Sequence, residues 1–198
     1  MKKTMMCAAF AVLMMVGVVH ANVYTFQPVP QDLGDMHHAS FITWGMRLNL
    51  APKEYITEAV LTFKNIYDYT VENNDRLYVH LLDNPSLGVR NYTDWQMGGD
   101  NFAGQGALIG VWTDTVGGSA RNFNLVYDLG ALGLIDELTQ YVTNNGIFGF
   151  GIDPDCHYFN DGVSFRVTTA VPEPASMTLV GIGLLGLTGV ARRRFVKK

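Results

Sequence analysis

The sequence contains little cysteine and little positive charge. Its two cysteines are Cys7 and Cys156, which excludes the disulfide framework of small secreted domains. Lys and Arg number 14 in 198 residues. Only seven of them lie within residues 22–170, against 17 Asp and Glu, so this stretch has a formal charge of −10. Such an acidic body repels phosphates, and we expect no nucleic-acid binding.

The sequence also lacks the common enzyme motifs. It contains no Gly-x-Ser-x-Gly elbow, no His-Glu-x-x-His and no phosphate-binding loop. We therefore predict that the protein is not an enzyme. One alternative stays open, a secreted hydrolase that acts on matrix polysaccharide, because 17 acidic residues offer many carboxylate pairs for glycoside hydrolysis.

The first 21 residues have the pattern of a secretory signal peptide. Lys2 and Lys3 precede an apolar core over residues 5–19, and Val19-His20-Ala21 places small residues at positions −3 and −1 of a cleavage site. We predict export, with signal peptidase cutting after Ala21. An uncleaved membrane helix is disfavoured because the apolar core is too short.

The C-terminal 28 residues have three parts. Pro172-Glu173-Pro174 comes first, an apolar run over residues 175–191 follows, and Arg192, Arg193 and Arg194 begin a basic end. Seventeen helical residues extend roughly 25 Å, which predicts a marginal transmembrane helix over 175–191. The arginines favour the cytoplasmic side, so the body of the chain would be exported.

This tripartite tail, over residues 171–198, resembles the PEP-CTERM sorting signal of Gram-negative bacteria. The resemblance implies that the membrane protease exosortase recognises Pro172, Glu173 and Pro174 and removes the tail. The protein would be anchored in the membrane by the 175–191 helix before processing, and would then reach the cell surface or the extracellular matrix. The alternative is a permanent single-span anchor.

The 22–170 body is predicted to be an all-β, jelly-roll-like sandwich with one short helix. Short runs of alternating apolar residues, separated by turn residues, indicate eight strands. The predicted strands are 23–27, 40–48, 58–66, 76–83, 107–113, 122–129, 147–153 and 163–169. The helix is predicted over residues 135–143, because Asp136 and Glu137 suit its first turn and Gly146 suits its C-terminal end.

The strand pattern is similar to that of carbohydrate-binding-module-like jelly rolls. The segments that carry this resemblance are 56–63, 75–79 and 123–129. It implies a sandwich and, more weakly, sugar binding. Exposed aromatic rings would stack on sugar faces, and Trp95 and Tyr92 are the candidate ligand-binding residues. The alternative is that the aromatic side chains belong to the core.

Residues 153–162 form the densest polar group in the sequence. Their hard oxygen ligands suit Ca²⁺. The candidate ligands are Asp153, Asp155, Asn160 and Asp161. An EF-hand is excluded because Ser164 occupies the position of its last Glu. The alternative is a turn whose side chains bond to their own backbone.

Zinc binding by Cys156 and His157 is disfavoured, since adjacent residues of a strand point to opposite faces. Cys156 is expected to be buried. The remaining histidines, His37, His38 and His80, are far away in the sequence. His37 and His38 follow Asp32 and Asp35, and this acidic group could supply further metal ligands or be an exposed loop.

These sequence features together predict an exported, non-enzymatic protein of the exopolysaccharide matrix. Its role would be structural or adhesive, with glycan bound through Trp95 and Tyr92 and Ca²⁺ stiffening the 153–161 turn. A purely structural protein without a ligand is the third alternative, after the hydrolase.

Overall fold

The computed structural model describes residues 20–73, 75–118 and 122–172, within which Ala21–Val171 form one unit. These residues form nine strands and one helix in the described part of the chain. The elements are β1 (His20–Phe26), β2 (Ser40–Arg47), β3 (Tyr55–Phe63), β4 (Leu77–Asp83), β5 (Gly88–Thr93), β6 (Ala107–Trp112), β7 (Leu125–Asp128), α1 (Ile135–Asn145), β8 (Ile147–Pro154) and β9 (Val163–Val171).

The strands form two antiparallel sheets. The first has the order β1-β9-β3-β7 and the second has the order β5-β2-β8-β4-β6. Strand β9, which leads to the C-terminal tail, therefore lies between β1 and β3. Consecutive strands mostly alternate between the two sheets, so the chain crosses the core repeatedly. The predicted all-β sandwich with one short helix is confirmed.

The alternation of apolar residues explains why these segments are strands with one buried face. Leu77, Val79 and Leu81 of β4 are all 0% exposed, as their spacing predicts. Val163, Phe165 and Val167 of β9 are also 0% exposed, while Arg166 between them faces solvent. Both strands direct these side chains into one core between the sheets.

Aromatic side chains fill the centre of this core. The ring of Phe165 contacts Phe150 at a centroid distance of 4.8 Å and Phe148 at 5.7 Å. Since Phe148 and Phe150 lie on β8 and Phe165 lies on β9, these edge-to-face contacts join the two sheets.

Several predicted strand limits differ from the structure, and one observed strand was not predicted. Strand β1 begins three residues before position 23, and β7 begins three residues after position 122. Strand β5 was not predicted, because Gly88–Thr93 is a mostly exposed edge strand whose residues are largely polar. Strand β3 begins three residues before the predicted position 58. A register shift between Ile56 and Glu58 interrupts its alternation, and the inserted Thr57 donates a hydrogen bond to the carbonyl of Thr168 (3.1 Å).

The predicted helix is confirmed, and it extends to Asn145. It packs Leu138 and Val142 on the core, and its acidic residues lie in the first turn. Gly146 ends the helix in the left-handed conformation at φ 76°, which glycine adopts without the strain that a Cβ would cause.

Strand β1 is held to the rest of its sheet by a buried carboxylate. Glu54 accepts hydrogen bonds from Asn22 Nδ2 (2.9 Å), the Tyr24 hydroxyl (3.2 Å) and the backbone N–H of Ala51 (2.7 Å), and one from Thr169 Oγ1. Burial raises the pKa of Glu54, but these hydrogen bonds outweigh it and lower the pKa to about 2. Glu54 thus joins β1, β3 and β9.

Candidate functional site

The most polar part of the body is the connection between β8 and β9, which we call the 153–161 segment. Its backbone is fixed by two neighbouring connections. Tyr158 exchanges backbone hydrogen bonds with Met36 (2.8 and 2.9 Å), and Phe159 exchanges them with Tyr67 (2.9 and 3.1 Å). The segment bends at residues 155 and 156, and its side chains point to different sides. Three polar groups form around the segment as a result.

The first group contains Asp153 and Asp155. Asp153 is 0% exposed; its Oδ2 accepts a hydrogen bond from the backbone N–H of Asn101 (2.6 Å), and its Oδ1 is buried without a hydrogen bond. Burial raises the pKa of Asp153 to about 6, and the charges of Asp94 and Asp155 act in the same direction. Burial also raises the pKa of Asp155. The two carboxylates therefore lie in a partly dehydrated, acidic environment.

The loop over residues 94–106 covers this first group. Its Phe102 ring lies directly on Gly151 of β8, where a Cβ would be 2.8 Å from the ring. The Asp100 carboxylate pairs with His80 Nε2 (2.9 Å). The loop is thereby attached to the outer side of β8, so a close approach that only glycine permits positions it over Asp153.

Asn160 and Asp161, the other two predicted calcium ligands, make different contacts. Asn160 Oδ1 accepts a hydrogen bond from the N–H of Gly162 (2.9 Å), as in a turn that bonds to its own backbone. Asp161 Oδ2 accepts one from Asn65 Nδ2 (2.7 Å). The carboxylates of Asp153, Asp155 and Asp161 do not form a group of three with oxygens within 4.8 Å of one another among the described residues.

The second group is buried and lies around Cys156 and Tyr158, whose side chains face Asp68 and Asp75. One ligand atom each of Asp68, Asp75 and Cys156 lies within 4.8 Å of the other two. The Tyr158 hydroxyl donates to Asp75 Oδ1 at 2.5 Å. Burial raises the pKa of the Cys156 thiol to about 12, with Asp68 adding to the effect. The expected burial of Cys156 is confirmed, at 2% exposure.

The third group is a surface cluster of histidines. The ring of His157 lies 5.9 Å from that of His37 and 5.3 Å from that of His38, and its Nδ1 is 2.9 Å from Asp35 Oδ1. The sequence separation had argued against such a contact. The structure brings together Asp35, His37, His38 and His157. His80 lies elsewhere, paired with Asp100 of the 94–106 loop.

The two candidate sugar-binding aromatics are both exposed. Trp95 is 89% exposed at the start of the 94–106 loop. Tyr92 on β5 is 42% exposed and stacks on Phe41 at 5.1 Å. Tyr92 also lines a cleft of about 340 Å³ over the five-stranded sheet, and Trp95 is outside this lining.

The cleft combines aromatic and polar groups. Its aromatic walls are Tyr92, Phe102 and Tyr141, and its polar lining includes Asp83, Asn84 and Gln105. Thr43 also lines it, with an Oγ1 that is buried and makes no hydrogen bond. Sequence reasoning found Tyr92 but missed the other residues, because they lie on four separate parts of the chain.

The predicted sorting residues lie at the limit of the described chain. Pro172 is exposed just after β9, and the rest of the predicted signal lies outside the described residues: Glu173, Pro174, Arg192, Arg193, Arg194 and the 175–191 helix. The described part of the chain contains no helix with the length and apolarity needed to cross a membrane.

The chain is an all-β sandwich whose C-terminal residues match a sorting motif, and this match implies export to the surface or the extracellular space. More particularly, residues 170–194 match the PEP-CTERM protein-sorting motif, which indicates an exosortase-sorted protein that this protease processes. No curated protein matches the chain.

Proposed function

We propose that the body of this exported protein is a non-enzymatic, adhesive β-sandwich that binds glycan in the exopolysaccharide matrix. The proposal includes three parts: a signal peptide over 1–21, a sandwich domain over 22–170, and a sorting signal over 171–198. The helix over 175–191, within this sorting signal, would hold the protein in the membrane until exosortase removes the tail.

The strand order supports a jelly-roll assignment within the sandwich class. The pairs β1-β9 and β3-β7 belong to one sheet, and β2-β8 and β4-β6 belong to the other. This is the arrangement that two nested Greek keys give, and β5 adds an extra edge beside β2. Jelly rolls occur in many lectin domains, so the topology is compatible with sugar binding without requiring it.

The cleft over the five-stranded sheet is the observation that carries the glycan proposal. Its volume of about 340 Å³ suits one or two sugar rings. Tyr92 offers a ring face for stacking, while Thr43, Asn84 and Gln105 offer hydrogen-bonding groups. An aromatic platform beside polar groups is the arrangement that a sugar, with its apolar face and polar edge, requires.

We expect Tyr92→Ala to weaken binding of the full chain to exopolysaccharide by about tenfold, because it removes the stacking face. The measurement is a polysaccharide pull-down, followed by a glycan array. Tyr55→Ala is the matched control, since Tyr55 is 47% exposed on the other sheet. Trp95→Ala tests whether the 94–106 loop also contributes. No binding by the unmodified chain, or equal loss with Tyr55→Ala, would refute the proposed cleft.

A hydrolase in this cleft would need two carboxylates about 5–10 Å apart. Among the described residues, the cleft lining contains one carboxylate, Asp83. This supports the non-enzymatic proposal over the hydrolase alternative. Release of reducing ends from the bound polysaccharide, abolished by Asp83→Asn, would instead favour the hydrolase.

We also propose that Ca²⁺ stiffens the 94–106 loop through Asp153 and Asp155, whose buried Oδ1 atoms make no hydrogen bonds. At 100 times its dissociation constant, Ca²⁺ should raise the melting temperature of the full chain by about 5–10 °C relative to EDTA. Asp153→Asn should abolish this rise, and Asp83→Asn should retain it. Asp161→Asn decides whether Asn160 and Asp161 belong to the site. An unchanged melting temperature in Ca²⁺ would remove calcium from the proposal.

A further inference from the structure

A pair of deeply buried carboxylates lies beside Cys156. Asp68 and Asp75 are only 1% and 2% exposed. Each has one oxygen with a hydrogen bond, since Asp68 Oδ1 accepts from the N–H of Thr70 (3.3 Å) and Asp75 Oδ1 accepts from the Tyr158 hydroxyl. The Oδ2 atom of each is buried and makes no hydrogen bond. Two buried carboxylate oxygens therefore point into the interior without a hydrogen bond.

The described residues provide no counter-ion for this pair. None of the ion pairs in the described part of the chain involves Asp68 or Asp75. Arg76 follows Asp75 directly, but its guanidinium bonds to the Tyr78 hydroxyl (3.3 Å). Two neighbouring carboxylates in the interior disfavour the charged form of each other, and a bound cation would stabilise that charged form.

A third and a fourth ligand are close. The Cys156 sulfur belongs to the group of three within 4.8 Å, and Glu72 Oε2 lies 3.7 Å from that sulfur. Glu72 is exposed, so it lies on the solvent side of the group. Two buried carboxylates, a thiol and an outer carboxylate make four ligand groups, which is the number that tetrahedral Zn²⁺ takes.

We propose that Asp68, Asp75 and Cys156, with Glu72 on the solvent side, bind one thiophilic divalent cation of the Zn²⁺ class. Sulfur ligation favours Zn²⁺ over Ca²⁺, which prefers oxygen ligands alone. On binding, the thiol proton leaves to solvent as the metal–sulfur bond forms, and the carboxylates replace metal-bound water. Ligands of a tetrahedral zinc lie about 3.5 Å apart, so modest contraction of the group is enough. The proposal does not depend on glycan binding.

Titration with Co²⁺ tests the proposal through a signal that only sulfur ligation gives. The protein is the full chain with Cys7→Ser, which leaves Cys156 as its one thiol. We expect a thiolate-to-cobalt absorption band that saturates at one equivalent and disappears when Zn²⁺ is added. Cobalt bound at the cluster of His37, His38 and His157 would give no such band.

Three variants of this protein complete the experiment. Cys156→Ser should remove the band, and Asp75→Asn, which keeps the side-chain shape, should weaken Co²⁺ binding by more than about a hundredfold. Asp83→Asn, in the cleft, should leave the affinity unchanged. The melting curve of each variant is recorded with the titration, so that affinity is compared only between folded proteins. Absence of the band in the folded Cys7→Ser protein would overturn the proposal, as would unchanged affinity in folded Asp75→Asn.

Discussion

Phe165→Ala should lower the free energy of unfolding by about 3–5 kcal/mol. Phe165 is 0% exposed and contacts rings on β8 and β1, including Phe150 at 4.8 Å and Phe26 at 6.4 Å. Truncation would leave a cavity between the two sheets, because the rings around it lie on separate strands and cannot all move inward together. The loss would combine the transfer energy of the ring with the cost of this cavity.

Urea unfolding of the full chain, followed by fluorescence and circular dichroism, measures this effect. Phe123→Ala is the matched control, because Phe123 is 45% exposed and stacks on Trp112 near the surface. We expect the control to lose about 1 kcal/mol. An equal loss of unfolding free energy in the two variants would show that the ring contacts of Phe165 between the sheets do not stabilise the sandwich.

Glu54→Gln should destabilise the protein by about 1–3 kcal/mol at neutral pH. The glutamine keeps the shape of the side chain but replaces one acceptor oxygen with an NH₂ group. This NH₂ group would face the same donors that bond to the carboxylate in the wild-type protein. The affected partners lie on β1 and β9, among them Asn22 and Thr169. We therefore expect β1 to separate from its sheet first, which hydrogen exchange of its amides would detect.

Glu54→Gln should also change the pH dependence of the free energy of unfolding. The pKa of Glu54 is about 2 in the folded protein against 4.5 for the free side chain, so its contribution is complete above pH 4.5 and is lost as the pH falls towards 2. Asp153 acts in the opposite direction: its pKa of about 6 makes the protein gain stability as the pH falls from 6 towards 3.8. The difference between the free energies of unfolding of the wild-type protein and Glu54→Gln, measured against pH, gives the contribution of Glu54 alone.

Glu58→Gln serves as the control for both Glu54 measurements. Glu58 is a partly exposed partner of Arg166 (3.0 Å) that also accepts a hydrogen bond from Thr168 Oγ1 (3.0 Å), and ion pairs near the surface contribute about 0–1 kcal/mol. If the two glutamate variants showed the same slope between pH 4.5 and 2, the hydrogen bonds to Glu54 would not be the source of acid sensitivity.

Most of the fold was predictable because burial imposes a period of two on the sequence. The run around Phe165 alternates from Val163 to Thr169, the run around Leu77 alternates over its first three residues, and both strands were found close to their observed limits. Strand β5 was missed because its pairing with β2 requires only backbone hydrogen bonds, which leave no pattern in its exposed side chains. Sequence patterns report the buried face of a sheet and say little about its edges.

The sites were much less predictable, because their members meet only in the folded chain. Glu72 and Cys156 are 84 positions apart, and Asp75 and Tyr158 are 83 apart. The calcium prediction used residues that are close in sequence, but in the structure Asn160 and Asp161 make contacts separate from those of Asp153. The one readable signal was the density of polar residues over 153–161. It did not reveal that the segment takes part in three separate groups.

The position of β9 determines how the sandwich would respond to force applied at its C-terminal end. Tension arriving from the tail enters the fold at the end of β9, and β9 is hydrogen-bonded to β1 on one side and β3 on the other. Pulling it out lengthwise would load both ladders in shear at once, whereas a strand at the edge could be peeled away bond by bond. Force applied at the C-terminal end of the sandwich would therefore meet two hydrogen-bonded ladders rather than one.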